Sequence, residues 1–395
     1  MALSNKYLSN LTPLRGVAAL LTIIYHVDLM LGGGGNMLLK AKDSLLFSRL
    51  YLMVDFFFIL SGFIMCHVYG ELFASSVNRP SFKKFTVARF ARVYPLHFVT
   101  LVYTIVLFYI SGKLGIPPSP VLQIGNNGFS IFTNLLLLQA MNLHNWFSWV
   151  HASWSISVEW WAYMVFPFLV KPFMRLSAAG KALVALLCFA GYLCITFWLV
   201  PLVTIPAEIP FVKVNPAALS INVSYQFGFV RCLCGFVLGM MMYQGYKIDW
   251  AKKILGNGYV LVALAAGSFI CMHLGLADIF AVSFFPFILL TGAYGSVGIN
   301  RFFAGRAFQK LGDWSFSMYL VHQPLLFTIG SVIAYLNPVD PNKVPAGPPP
   351  QMGMGTGWLV CLGFIALTLM VSYCTYSLIE VPARRWINPS KKQAV

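Results

Sequence analysis

The sequence predicts an all-α integral membrane protein, a bundle of about ten transmembrane helices with both termini cytoplasmic. Three observations carry this. The chain of 395 residues is 59% hydrophobic and only 10% charged, with a mean hydropathy of +0.76, more apolar surface than a soluble domain of that length can hide. Its apolar runs are continuous, where a transmembrane β-barrel would show short alternating segments. Its basic residues gather in alternate connecting segments, as the positive-inside effect requires.

The first apolar run, 11–31, is too long and too well flanked for a cleaved signal peptide, and no small-residue cleavage site follows it. It is read as a retained first helix. Further runs follow at 50–69, 93–111, 153–170, 182–200, 225–243, 258–274, 278–297, 314–336 and 357–379. One face then holds Lys6, the cluster Arg79, Lys83, Lys84, Arg89 and Arg92, and later Lys171, Arg175, Lys247, Lys252, Arg306 and Arg384. The other holds only Lys40, Lys42, Arg49, Lys113, Lys213 and Lys343. That asymmetry accounts for the formal net charge of +16 without nucleic acid as a partner. The glycine run at 32–35 and the proline-rich 337–350 read as loops. The segment 112–152 is long for a connector, and its apolar stretch 131–141 is too short to span, so it reads as re-entrant or interfacial. No repeat and no appended soluble domain is visible, so 1–395 is read as a single domain. The cysteines all lie within apolar segments, none in CxxC spacing, and neither a disulfide nor a metal site is expected.

Ionisable residues within apolar helices usually face a bundle interior or a watery cavity. Arg15 and His26 form an Arg-x10-His spacing within the first run. At about 100° per residue the two share a helix face, and at about 1.5 Å per residue they stand roughly 16 Å apart along it. Counted from the nearest helix end, His26, Asp55, Glu159 and Arg231 each lie about five or six residues, roughly 8 Å, below the outer surface. Four ionisable groups at one level on four helices read as a shared site, against the alternative of polar glue between helices. Arg15, Arg89 and Arg92 lie toward the opposite face, where guanidinium forks suit phosphate, although topology and headgroup contact explain many such arginines. His322 falls between the two layers, beside Pro324, which frees a helical carbonyl. Ser155 and Glu159 share a face, by themselves weak evidence for a nucleophile. There is no Walker loop or dinucleotide fingerprint.

Six stretches, in order, resemble the membrane acyltransferase-3 family, whose members move acyl groups, usually acetyl, onto extracytoplasmic acceptors. They are Arg15-x10-His26; Val54-Asp55-Phe56-Phe57-Phe58-Ile59-Leu60-Ser61-Gly62-Phe63; Phe90-Ala91-Arg92-Val93-Tyr94-Pro95; Trp154-Ser155-Ile156-Ser157-Val158-Glu159; Leu311-Gly312-Asp313-Trp314-Ser315 through His322-Gln323-Pro324; and Glu380-Val381-Pro382-Ala383-Arg384. Ala88-Arg89 stands where many relatives carry paired arginines. Lacking the esterase-like domain that some relatives carry, the chain resembles the stand-alone type.

The resemblance implies acetyl-CoA as donor substrate, no metal, and a glycan or glycolipid acceptor at the bacterial inner (plasma) membrane. Arg15, Arg89 and Arg92, with His322, are expected to hold the donor. His26 is expected to act as general base, since imidazole titrates near working pH and a sugar hydroxyl needs deprotonation. Asp55 or Glu159 is expected to orient its ring, Arg231 to steady the oxyanion, and Trp154, Ser155 and Ser157 to border the acceptor. A secondary transporter would also bury ionisable residues, usually with internal repeats, and an acyl-carrier scaffold would keep the pocket without the base.

Overall fold

A computed structural model describes residues 8–31, 37–116, 119–209, 215–295, 298, 302–338 and 352–389. Among these there is no β-strand, only a single bridge between Ser224 and Phe227. The glycine run, most of the proline-rich stretch, and Lys6, Lys213 and Lys343 lie outside the described residues.

In chain order the helices that frame the interior are α1 Thr12–Leu31, α2 Met53–Phe73, α3 Arg79–Lys113, α4 Gly128–Leu135, α5 Ser153–Arg175, α6 Ala178–Cys194, α7 Gly228–Tyr246, α8 Gly258–His273, α9 Asp278–Tyr294, α10 Arg306–Asp313, α11 Ser315–Leu336 and α12 Met354–Thr375. Each apolar run of the sequence is met by one of them. Among the described residues six helical stretches are long and apolar enough to cross a membrane, those containing α1, α2, α3, α6, α11 and α12. Helix α8 meets that test only together with Asp249–Leu255, to which it is bent by 71°.

Helix α3 begins well before its apolar run because Asn78 caps it: the Asn78 side chain accepts from Ser81 N at 3.0 Å while the Asn78 amide donates to Ser81 Oγ at 3.4 Å. At 35 residues it is roughly 52 Å long, so Arg89 and Arg92 lie on continuous helix rather than in a loop.

Helices α2 and α7 run parallel and nearly touch. Asp55 meets Arg231, Ile59 faces Gly235, and Phe63 faces Gly239, so the contacts advance together along both. A Cβ at Gly62 would lie 1.8 Å from Phe236 O, and one at Gly239 1.9 Å from Ile59 O, so only glycine permits this approach. Helix α1 packs beside α10 and α11 in the same way, with a Cβ at Gly312 falling 1.9 Å from Thr12 O.

The connector before α5 is folded into the bundle. Leu137 O accepts from Ser157 Oγ at 2.7 Å and from Trp161 Nε1 at 2.9 Å, a position well along α5. Tyr94 and His97 of α3 meet Leu135 O and Asn134 O from the other side. Leu137, Asn142 and Trp149 turn the chain with positive φ. The stretch 131–141 therefore joins the packing between α3 and α5, and α5 starts inside the bundle.

Candidate active site

A cavity of about 250 Å³ lies between α1, α2, α3, α5 and α11. One end is cationic. Arg15 of α1 and Arg89 and Arg92 of α3 all line it. Arg89 donates through Nη2 to Tyr69 Oη at 3.1 Å and lies over the Tyr69 and Tyr163 rings, at 5.2 and 5.7 Å. Its Nε is buried without a hydrogen-bond partner. Arg92 pairs with Glu380, and its guanidinium lies 5.1 Å from the Phe316 ring centre. Glu380 is buried and also accepts from Ser317 Oγ at 2.9 Å and Arg384 Nη2 at 3.1 Å. Beside this end, burial raises the Asp313 carboxyl above the ordinary range, opposed by the charges of Arg15, Arg92 and Arg384.

The wall of the cavity carries Glu159, whose carboxylate accepts from Ser61 Oγ and, at 2.5 Å, from Tyr163 Oη. Further along, Ser155 Oγ and Tyr319 Oη are 2.6 Å apart, and the Tyr319 hydroxyl also donates to Ala152 O at 3.1 Å. Behind Tyr319 stands His322, with ring centres 5.9 Å apart. His322 Nε2 is 3.2 Å from His26 Nδ1, and His26 Nδ1 is 2.9 Å from Thr22 O. A polar column thus runs from three guanidinium groups through Glu159, Ser155 and Tyr319 to a pair of imidazoles.

The second polar cluster is saturated. Arg231 donates from Nε to Asp55 Oδ1 at 3.0 Å and from Nη2 to Asp55 Oδ2 at 2.6 Å. Its Nη1 is taken by Asn222 Oδ1 at 3.3 Å and Val223 O at 3.1 Å. Arg49 pairs with Asp278, whose carboxylate also accepts from Tyr51 Oη at 2.5 Å and Ile221 N at 2.9 Å. The two pairs pin the segment between α6 and α7 to the bundle.

Several expectations are corrected by this placement. The four ionisable groups are not at one level: Glu159 lies opposite Ser61, roughly 9 Å along α2 from Asp55. Depth was counted from the start of α5, and α5 starts within the bundle, its Ala152 amide held by Gln323 of α11. Neither Asp55 nor Glu159 orients His26, whose ring partners are Thr22 O and His322. Arg231 is fully buried and spends its guanidinium on Asp55 and two loop oxygens, so it is a structural clamp rather than an oxyanion contact. His322 touches His26 rather than lining the cationic end. Trp154 packs on Phe58 and beneath Arg231, and Ser157 holds Leu137 O and Ala140 N; neither lines the cavity. Arg15, Arg89, Arg92 and Ser155 do line it.

Tyr319, Ser61 and Glu380 join this arrangement without standing out in the sequence. Each is one more hydroxyl or carboxylate on an apolar helix, and only its appearance within a motif marked it. Arg49 was counted as a loop charge because its partner Asp278 lies 229 positions away.

Residues 9–377 match the model of the acyltransferase-3 family, described as an acyltransferase domain. The chain belongs to this family. Similar proteins include acyltransferase MdmB of Streptomyces mycarofaciens, 26% identical over 85% of this chain and 81% of that protein. Protein 2 in the picA locus of Rhizobium radiobacter is 33% identical over 37% of this chain and 73% of its own length. Peptidoglycan O-acetyltransferase OatA of Listeria monocytogenes is 19% identical over 97% of this chain, which spans 56% of that longer protein. No solved structure matches this chain. With several apolar helices of spanning length, this acyltransferase is a multi-pass membrane protein.

Proposed function

We propose that this acyltransferase moves an acetyl group from cytosolic acetyl-CoA to a hydroxyl of a glycan or glycolipid on the outer face of the plasma membrane. One observation carries the reading: a single cavity is lined by three arginines and by Tyr319, whose ring stands 5.9 Å from that of His322, itself 3.2 Å from His26. Guanidinium groups suit the phosphates of CoA, and a thin pantetheine arm fits a cavity of this size. The chain spans the membrane about ten times with both termini cytoplasmic, supported by the parallel course of α2 and α7 and by the basic residues on the side of Arg89. The similarity to peptidoglycan O-acetyltransferase OatA supports a polymer hydroxyl as the kind of acceptor.

In the proposed step the acceptor oxygen attacks the thioester carbonyl while His26 Nε2 takes the hydroxyl proton. The C–S bond then breaks, and the departing CoA sulfur receives that proton from the His26 imidazolium. The acetyl ester and free CoA thiol result, with no other reactant.

Purified protein in detergent, given acetyl-CoA and a glycan acceptor, is expected to release CoA thiol in proportion to acetylated product seen by mass spectrometry. Acetyl-CoA binding with no thiol release under any acceptor overturns the enzyme reading in favour of a carrier. Orientation is tested separately: Lys113→Cys is expected to label from outside intact cells and Lys252→Cys only after permeabilisation.

A further inference from the structure

We propose that His322 is a positioning residue that, together with the Thr22 carbonyl, holds His26 in the one tautomer whose Nε2 is a bare lone pair. The inference rests on reading His26 as the base, and it follows from hydrogen-bond inventory. A neutral imidazole has one N–H and one lone pair, and each must meet its complement. His26 Nδ1 is 2.9 Å from Thr22 O, a carbonyl that can only accept, so Nδ1 carries the hydrogen. His322 Nδ1 is 3.2 Å from Met318 O and carries its hydrogen for the same reason. The remaining nitrogen of His322, Nε2, is then a lone pair, and it faces His26 Nδ1–H at 3.2 Å. Donation runs from His26 Nδ1–H, shared between Thr22 O and His322 Nε2, and from His322 Nδ1–H to Met318 O, which leaves His26 Nε2 a lone pair.

The fold enforces this order. Both histidines bond to the carbonyl four residues back on their own helices, α1 and α11. The two helices run parallel, and His26 lies as far beyond Gly16 as His322 lies beyond Gly312, the pair at which the segments touch. The rings meet at 4.8 Å between centres, tilted by 50°, and Tyr319 supports the far edge of His322. His322 is fully buried, whereas His26 is only partly so, as expected if one ring supports and the other meets substrate. When His26 takes the acceptor's proton on Nε2, its Nδ1–H becomes a charge-assisted donor, and the His322 lone pair is already in place to receive it.

The test compares His322→Phe, which keeps a ring but no lone pair, with His322→Gln, whose amide oxygen can accept at the Nε2 position. His322→Phe is expected to lower kcat about a hundredfold or more, within the range for misplacing a general base, with KM for acetyl-CoA within about twofold of wild type. His322→Gln is expected to keep at least about a tenth of kcat. In a His26→Ala background, His322→Phe is expected to remove nothing further. A raised KM for acetyl-CoA at unchanged kcat, equal losses in both variants, or an additive loss in the double variant overturns the positioning role. Donor binding and thermal unfolding of each variant in detergent show that the comparison is between folded proteins. The base reading fails separately, if His26→Ala alone keeps wild-type kcat. If His26→Ala is inactive while His322→Phe is fully active, only the positioning role falls.

Discussion

The molecule carries two sets of buried charges that look alike in sequence and differ in how completely they are satisfied. Around Asp55 and Arg231 every guanidinium nitrogen has a partner, and the neighbouring Arg49–Asp278 pair is bound on both sides by loop amides, carbonyls and Tyr51. Around the cavity, Arg89 is left with a buried Nε that no protein group meets, and Arg15, Arg89 and Arg92 face open volume. Desolvating an ion is so costly that a closed cluster must be complete to persist. A cluster beside a cavity has room for a ligand as a further partner. Open volume beside the guanidinium groups, rather than burial or residue type, separates the site from the clamp.

The sharpest way to break that distinction is at Arg231. Arg231→Ala strands the Asp55 carboxylate in the core and is expected to cost about 3–5 kcal/mol of stability. Replacing both partners, Asp55→Leu with Arg231→Met, is expected to recover most of it, because two apolar groups of similar size leave no charge behind. Thermal unfolding in detergent checks both. A normal unfolding temperature for Arg231→Ala, accompanied by lost kcat, would place Arg231 in the chemistry and erase the contrast.

A smaller effect is expected at the open cluster. Arg89→Gln is expected to raise KM for acetyl-CoA about ten- to a hundredfold, the size of one charge-assisted contact, with kcat within about twofold. A contact made equally in ground and transition states acts on KM alone. Unchanged KM in a correctly inserted variant would leave Arg89 as a topology residue stacked on Tyr69 and Tyr163.

Sequence legibility follows the same division. The helices were readable because each is a continuous apolar run, and Arg15 and His26 share one helix because that helix is unbroken from Thr12 to Leu31. Arg89 and Arg92 are readable as a basic pair near a helix start, although the Asn78–Ser81 cap extends α3 well behind them. Partners were not readable. Asp55 and Arg231 are separated by 176 positions and His26 and His322 by 296, and no local pattern says which buried charge finds which. Depth failed for Glu159 because counting from a helix end assumes that the end lies at the membrane surface. The folded-in connector before α5 breaks that assumption.

The smallest expected effect divides two serines that the sequence treated as one feature. Ser155 and Ser157 are two residues apart, so on α5 they point about 200° away from each other and cannot both face the cavity. Ser155 faces it, 2.6 Å from the Tyr319 hydroxyl. Ser157 faces the folded-in connector, where it donates to Leu137 O at 2.7 Å and accepts from Ala140 N at 3.3 Å. Leu137 O keeps a second donor in Trp161 Nε1, so removing the Ser157 hydroxyl does not orphan that carbonyl. The buried Ala140 amide does lose its acceptor, so Ser157→Ala is expected to cost about 1–3 kcal/mol and to leave kcat per folded molecule unchanged. Thermal unfolding measured beside turnover checks it. A fall in kcat at constant unfolding temperature would mean that the connector side of α5 also meets substrate. The contrast between saturated and open polar clusters would then hold for charges but not for hydroxyls.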